Sequence, residues 1–346
     1  MVDDTLLAEA VTMTRPLPFD VQSLPGASFG GLIDVDDVDA FVAAAEAVPD
    51  ALMNAMLDGH GLLLLKGFQT IADDPGLLVK LSRLFGKEVE NYRLTSTDPN
   101  CIHPDHPEIL VLTNLPPCSR KPPGKPEPAA LPDGSLPVQF PHRRGWHTDQ
   151  SFRRPPPDIS LFCALVPSPK GQGQTLYADG VGAYEALSEA LKARIEDLEG
   201  LHIVPGSGRA EYAVRAGETP RDLEPREAPQ RQPVVRVHPV TGQKALYLCE
   251  AGQMDWVEGP LIGMEPGIHG DGAKLLYELM EHFTQPRFAY AHEWEAGDLI
   301  VYDNRCTIHS ATWYDADQFD RVMWRTTVWG NPGPLYDGEE RSWMVA

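Results

Sequence analysis

The sequence predicts a single β-rich α+β domain, a sandwich of short strands with helices appended to it. Three observations carry that expectation. Strand and turn signals alternate through the last third of the chain, helical periodicity is confined to a few stretches that are densest over residues 36–86, and no internal repeat or second compositional regime divides the 346 residues. Length alone would allow two domains, but β-rich sandwiches often use a chain of this size as one unit.

From Asp36 to Leu57 the chain is Ala-rich and acidic with apolar residues at helical spacing, is interrupted near Pro49 and ends at Gly59-His60-Gly61, which predicts two helices. Leu62 to Leu65 is a continuous apolar run bracketed by glycine, the pattern of a short buried strand. Leu77 to Phe85 reads as an amphipathic helix closed by Gly86, and Ile109 to Leu112 as a strand. The insertion at 116–141, with Pro122-Pro123-Gly124 and Pro132-Asp133-Gly134, excludes regular structure; a loop this long is either functional or disordered. Ile159 to Val166 is a strand, Tyr184 to Leu198 a helix, and Gly206 to Gln232 a polar, mobile excursion. Val234 to Val237 and Ala245 to Leu248 flank a turn at Pro239 to Gly242. After a helix over Ala273 to Phe283 come strands at Phe288 to Glu293, Leu299 to Tyr302 and Val322 to Trp329.

With 42% hydrophobic and 23% charged residues the chain is able to bury a substantial core. Its formal charge of −21 repels phosphate backbones and anionic bilayers, so neither nucleic acid nor membrane is an expected partner. No apolar run approaches the roughly 20 residues of a membrane span, and the N-terminus lacks the basic start of a secretory signal, so a cytoplasmic protein, associating as a homo-oligomer, is expected. Five scattered cysteines without a C-x-x-C pair predict reduced thiols, mostly buried; Cys306 reads as a small buried hydrophobe rather than a metal ligand.

The sharpest chemical signal is Gly145-Trp146-His147-Thr148-Asp149. Side chains two apart on an extended segment point the same way, so His147 and Asp149 are able to reach one ion, with His309 as a third ligand from another strand. Two imidazoles and a carboxylate on one face of an octahedron suit Fe(II), because open positions remain for a co-substrate and O2. Farther on, Arg321 and Arg325 lie four apart at a predicted strand, and guanidinium forks grip carboxylates through paired hydrogen bonds, as a dicarboxylic oxo-acid requires.

The ordered motifs His147-x-Asp149, Gly173-Gln174-Thr175-Leu176-Tyr177, Asp303-Asn304-Arg305-Cys306-Thr307-Ile308-His309 and Arg321-x-x-x-Arg325-Thr326-Thr327 resemble those of the TauD/TfdA-like dioxygenases, over about Leu62 to Gly330. The resemblance implies a double-stranded β-helix (jelly roll) core over about 62–330 with flanking helices. It implies Fe(II) on His147, Asp149 and His309, with 2-oxoglutarate as co-substrate. It also implies Arg325 and Thr175 on the distal carboxylate and Arg321 on the carboxylate beside the keto group. The expected reaction hydroxylates a small, anionic organic substrate and releases succinate and CO2; desaturation or cyclisation with the same ligands, or a non-catalytic jelly-roll binding protein, are the other readings. A carboxylate at Asp149, rather than glycine or alanine, makes hydroxylation the default over halogenation.

For the substrate, Asn114 and Gln150 are candidate pocket residues. Arg120, Lys121, Lys125, Arg143, Arg144, Arg153 and Arg154 form either a collar for an anion or a set of solvated surface pairs. His103 and His106 read as exposed and structureless, His238 as part of a turn, and Asp303-Asn304-Arg305 as a structural turn leading into the His309 strand.

Overall fold

The computed structural model describes residues 18–48, 50–125, 145–250 and 252–344. In chain order the strands are β1 (Gln22–Ser23), β2 (Gly31–Asp34), β3 (Leu62–Lys66), β4 (Glu88–Val89), β5 (Leu110–Thr113), β6 (Ile159–Val166), β7 (Thr175–Asp179), β8 (Glu199–His202), β9 (Gln230–Pro233), β10 (Val235–Val237), β11 (Lys244–Leu246), β12 (Ala289–His292), β13 (Leu299–Asp303), β14 (Thr307–Ala311) and β15 (Val322–Trp329). The α-helices are α1 (Val38–Ala47), α2 (Ala51–Asp58), α3 (Pro75–Ser82), α4 (Gly180–Glu185), α5 (Glu189–Ile195), α6 (Glu211–Arg215) and α7 (Asp271–Phe283).

Strand alternation builds the layers. The large sheet runs β1-β2-β3-β13-β6-β15-β4, with β5 also paired to β15, and is antiparallel except for the β2–β3 pair. Leu63, Leu65, Leu161, Cys163, Leu299 and Val301 point from it to one side, where they pack against Phe41, Val42, Leu52, Met56, Leu78 and Leu81 of α1, α2 and α3. Their neighbours Leu62, Leu64, Phe162, Ala164, Ile300, Tyr302 and Met323 point to the other side, toward Tyr177 and Tyr290 of the small sheet β12-β7-β14. The Leu62–Leu65 run is therefore apolar throughout because both of its faces are buried. A second core, built around α4 and α7, covers the outer face of the small sheet through Leu176, Ala178 and Ile308.

Several expectations need correction. Tyr184 to Leu198 is two short helices: Asp179 caps α4, and Ser188 Oγ accepts from Leu191 N to start α5. The excursion over 206–232 is packed rather than loose, since Ser207, Ala210, Ala213 and Gln232 are buried and Gln230–Pro233 pairs with β8. Cys101 and Cys118, expected as thiols, are joined in a disulfide across Cα atoms 4.8 Å apart; the turn before β5 and the strap after it lie side by side, which linear spacing does not reveal. Cys163, Cys249 and Cys306 are buried thiols as expected. His103 is not structureless: its ring meets Trp324 edge-on at 5.0 Å, and its Nδ1 accepts from the backbone of Asp105 and His106. The 116–141 insertion is irregular through residue 125, and the rest of it lies outside the described residues. No single helix among the described residues is long and apolar enough to cross a membrane.

Candidate metal centre

His147 and His309 are locked together by a reciprocal pair of backbone hydrogen bonds, His147 N to His309 O at 2.9 Å and His309 N to His147 O at 2.8 Å. That bridge brings residues far apart in sequence onto the inner face of β14 with ring centroids 4.3 Å apart. Asp149 completes the group: its Oδ1 lies 3.9 Å from His147 Nε2 and 3.8 Å from His309 Nε2. One donor atom from each of the three residues falls within 4.8 Å of the others, the convergence that a single ion needs.

The donors are in the right chemical state. Burial lowers the His147 pKa, and burial followed by the neighbouring His147 lowers that of His309 to about 3, so both imidazoles are neutral at ordinary pH. Burial alone would raise the Asp149 carboxyl, but the Arg325 guanidinium, the two imidazoles and the Tyr302 hydroxyl outweigh it and hold the group well below the usual carboxylate range. His147 Nδ1 is engaged with Gly145 O at 2.6 Å, which leaves Nε2 as the ligand atom. Two neutral nitrogens and one ionised oxygen fit the facial set suited to Fe(II).

Residues to which the sequence assigned no contact with the ligands set the carboxylate's pose: Tyr302, Ser160 and Asn304 of the expected turn. Asp149 Oδ2 accepts from Tyr302 Oη at 2.6 Å and from Ser160 Oγ at 2.9 Å. Asn304 Oδ1 accepts from the Asp149 backbone N–H at 3.1 Å, its Nδ2 donates to Ser160, and its backbone carbonyl accepts from Thr148. Strand alternation in β6 and β13 would have put Ser160 and Tyr302 on one face, but nothing local says that Asp149 arrives there. The expected structural turn is present: Asp303 is gripped by Arg305 and by His238, whose Nδ1 caps the turn at Val240 and Thr241. Asp303, His238 and Cys306 also lie close together, but the Arg305 fork already neutralises the carboxylate there.

Arg321, just before β15, and Arg325 within it stand apart. Arg325 Nη1 reaches Asp149 Oδ1 directly, beside the ligand atoms. Arg321 lies over the Phe162 and Tyr314 rings, and its Nε has no partner. Thr175 Oγ1 accepts from Trp294 Nε1 at 3.0 Å, which leaves the threonine's own proton to donate. Trp294 in turn packs against Phe162 at 5.2 Å, and Thr175 pairs with Ala311, which lines one cavity with Arg321. Thr175 thus lies on the side of the Arg321 cavity, while Arg325 lies on the side of the metal ligand Asp149.

Asn114 is engaged with three backbone groups. Its Nδ2 donates to Ala316 O and Phe319 O and its Oδ1 accepts from Arg321 N, so it pins the segment that delivers Arg321. Gln150, at φ 54°, donates from Nε2 to Glu90, and only its Oε1 is left without a partner. Of the proposed collar, Arg153 forms a buried pair with Glu90, which is neither a collar nor a solvated pair, and Arg154 pairs with Glu339; Lys125 lies over Trp313, and Arg143 and Arg144 fall outside the described residues. On the His147 side, a cavity of about 480 Å³ is walled by Trp146, His147, Pro205 and Tyr212.

The family model described as taurine catabolism dioxygenase TauD, TfdA family matches residues 16–327. The chain is 34% identical over 214 residues to the (S)-phenoxypropionate/alpha-ketoglutarate-dioxygenase of Sphingobium herbicidovorans, a match spanning 58% of this chain and 70% of that one. It is 35% identical over 187 residues to the alpha-ketoglutarate-dependent 2,4-dichlorophenoxyacetate dioxygenase of a Burkholderia species, spanning 53% of this chain and 57% of the relative. Among solved structures, AAD-2 in complex with Mn(II) and N-oxalylglycine superposes with a TM-score of 0.65 at 28% identity, covering 90% of this chain and 98% of the other.

Proposed function

Since the chain belongs to the TauD/TfdA family, oxidoreductases that use Fe(II), 2-oxoglutarate and O2, we propose that it hydroxylates a small organic acid at a carbon held beside His147, Asp149 and His309. The observation that carries this reading is the convergence of three donor atoms within 4.8 Å. When bound, Fe(II) and 2-oxoglutarate supply the oxidising chemistry, in which O2 and the keto acid yield succinate, CO2 and a hydroxylated substrate carbon. The chain's own residues do the rest. His147 and His309 present neutral nitrogens, while Tyr302, Ser160 and Asn304 fix the Asp149 carboxylate. Arg321 and Thr175 hold the distal carboxylate of the keto acid, and Arg325 the carboxylate beside its keto group; the pairing of Thr175 with the Arg321 cavity supports that division. The same membership supports reading the two facing sheets as a double-stranded β-helix.

For the substrate we propose an aryloxyalkanoic acid or a close analogue. The phenoxypropionate and dichlorophenoxyacetate relatives support this, and so do the Trp146 and Tyr212 walls beside His147, which suit an aromatic body. Hydroxylation of the carbon next to an ether oxygen gives a product that falls apart to a phenol. The test incubates the protein with Fe(II), ascorbate, 2-oxoglutarate and air, alone and with phenoxyacetate, 2,4-dichlorophenoxyacetate, (S)-phenoxypropionate or taurine. Succinate in every arm and phenol in an aryloxy arm are expected, with Asp149→Ala losing both. Absence of succinate in all arms overturns the oxygenase reading, and succinate without phenol overturns the substrate class.

A further inference from the structure

A cavity of about 380 Å³ lies beside the site, bounded by Thr113, Arg120, Lys121, Thr312, Tyr314 and Arg321. Three cations line it and no carboxylate does. The guanidinium groups of Arg321 and Arg325 match the two carboxylates of 2-oxoglutarate, which leaves Arg120 and Lys121 over. Among the described residues Arg120 pairs with no acid, although the chain carries 50 Asp and Glu against 29 Lys and Arg. The Arg120 side chain is exposed, and Asp149 and Asp98 are the acids whose charge reaches it without an ion-pair contact; a cation lining a cavity that no carboxylate lines points to a ligand that brings one.

The backbone that carries Arg120 is also held in place. The Arg120 N–H donates to Thr113 O at 2.8 Å, Ser119 N donates to Leu115 O at 2.9 Å, and Cys118 is bonded to Cys101. The strap that carries the guanidinium is thus tied to the end of β5, whose Thr113 pairs with Val322 next to Arg321. Partial burial first, and then the positive charge of Arg325, depress the Arg120 pKa, so its guanidinium feels the field of the metal centre.

We infer that Arg120 is the residue that binds the anionic group of the substrate, a carboxylate or an isosteric oxyanion, separately from the two arginines that hold the keto acid. This rests on the oxygenase reading for the identity of the co-substrate. A guanidinium carried to the cavity on a tethered strap selects acids over their neutral analogues.

The test is calorimetric titration of the protein loaded with Mn(II) and N-oxalylglycine, which does not turn over. Phenoxyacetate is the anionic probe and phenoxyacetamide its uncharged control. Arg120→Gln is expected to weaken phenoxyacetate by about 10- to 100-fold, to leave phenoxyacetamide unchanged, and to leave the affinity for N-oxalylglycine unchanged. An equal loss for acid and amide assigns Arg120 a purely structural role and overturns the inference. So does a loss confined to N-oxalylglycine, which would move Arg120 to the keto-acid site, and so does wild-type protein that binds no phenoxyacetate. Succinate release without substrate, measured on the same preparations with Fe(II), decides the oxygenase reading independently of all three results.

Discussion

Tyr302→Phe isolates one hydroxyl from everything around it. Tyr302 is 1% exposed, and its ring lies 5.4 Å from Tyr177 and 4.8 Å from His309, contacts that phenylalanine keeps. What disappears is the 2.6 Å bond to Asp149 Oδ2, one of two that this oxygen accepts, while Arg325 keeps its contact with Oδ1. A hydrogen bond to a buried charge is worth about 1.5–3 kcal/mol, and because the metal-free protein also loses it, only part of that reaches the binding constant. Outer partners of metal ligands typically contribute about 10- to 100-fold in affinity, which is the loss expected for Fe(II) or Mn(II), measured by anaerobic titration. Ser160→Ala, which removes the longer bond, should fall at the lower end of that range. The affinity for 2-oxoglutarate at saturating metal should barely move. Unchanged metal affinity in a folded Tyr302→Phe protein would refute the view that this hydroxyl sets the ligand's pose.

Two further predictions concern stability. The hydrogen bond that His60 Nδ1 donates to the Asp179 carboxylate raises the His60 pKa above 6.5, so its stabilising contribution is complete below about pH 6.5 and is lost as pH rises through the folded value. With the side chain 31% exposed, the stability gap between wild type and His60→Gln should be about 1 kcal/mol near pH 6 and should shrink toward pH 9; denaturant melts that show a gap growing with pH would contradict this. Gly67 has φ +100°, and a Cβ there would sit 2.1 Å from Val35 O, so Gly67→Ala should cost about 2–4 kcal/mol in urea unfolding while metal affinity in the folded fraction is retained; a cost under about 1 kcal/mol would show that the β2–β3 edge yields easily.

The elements that could be read in advance were those whose signal is local. The Leu62–Leu65 run, Ile159 to Val166 and Val322 to Trp329 declare themselves by composition, and His147-x-Asp149 by a spacing of two on extended chain. His309 needed the ordered motifs, because its partner lies far away in sequence and is reached only through the bridge to His147. The contacts of Tyr302, Ser160 and Asn304 around Asp149 stayed invisible for the same reason: each is an ordinary strand or turn residue until Asp149 is laid against it. The arginines show a subtler limit. Their spacing of four suggested a pair of grips, yet which end of a ligand each would meet depends on the register shift between Val322 and Met323 and on Asn114, which holds Arg321 N from across the sheet. The Cys101–Cys118 bond and the break at Ser188 were missed because neither a contact across a strand nor a side-chain cap appears in periodicity.

The mutual peptide pairing of His147 and His309 has a mechanical consequence. Two ligands so joined share a single rigid hinge point, so breathing of the small sheet carries both imidazoles along together and leaves their spacing nearly constant. Any drift within the ligand set must then come from the carboxylate, and the chain concentrates its tethers of hydroxyl and amide there.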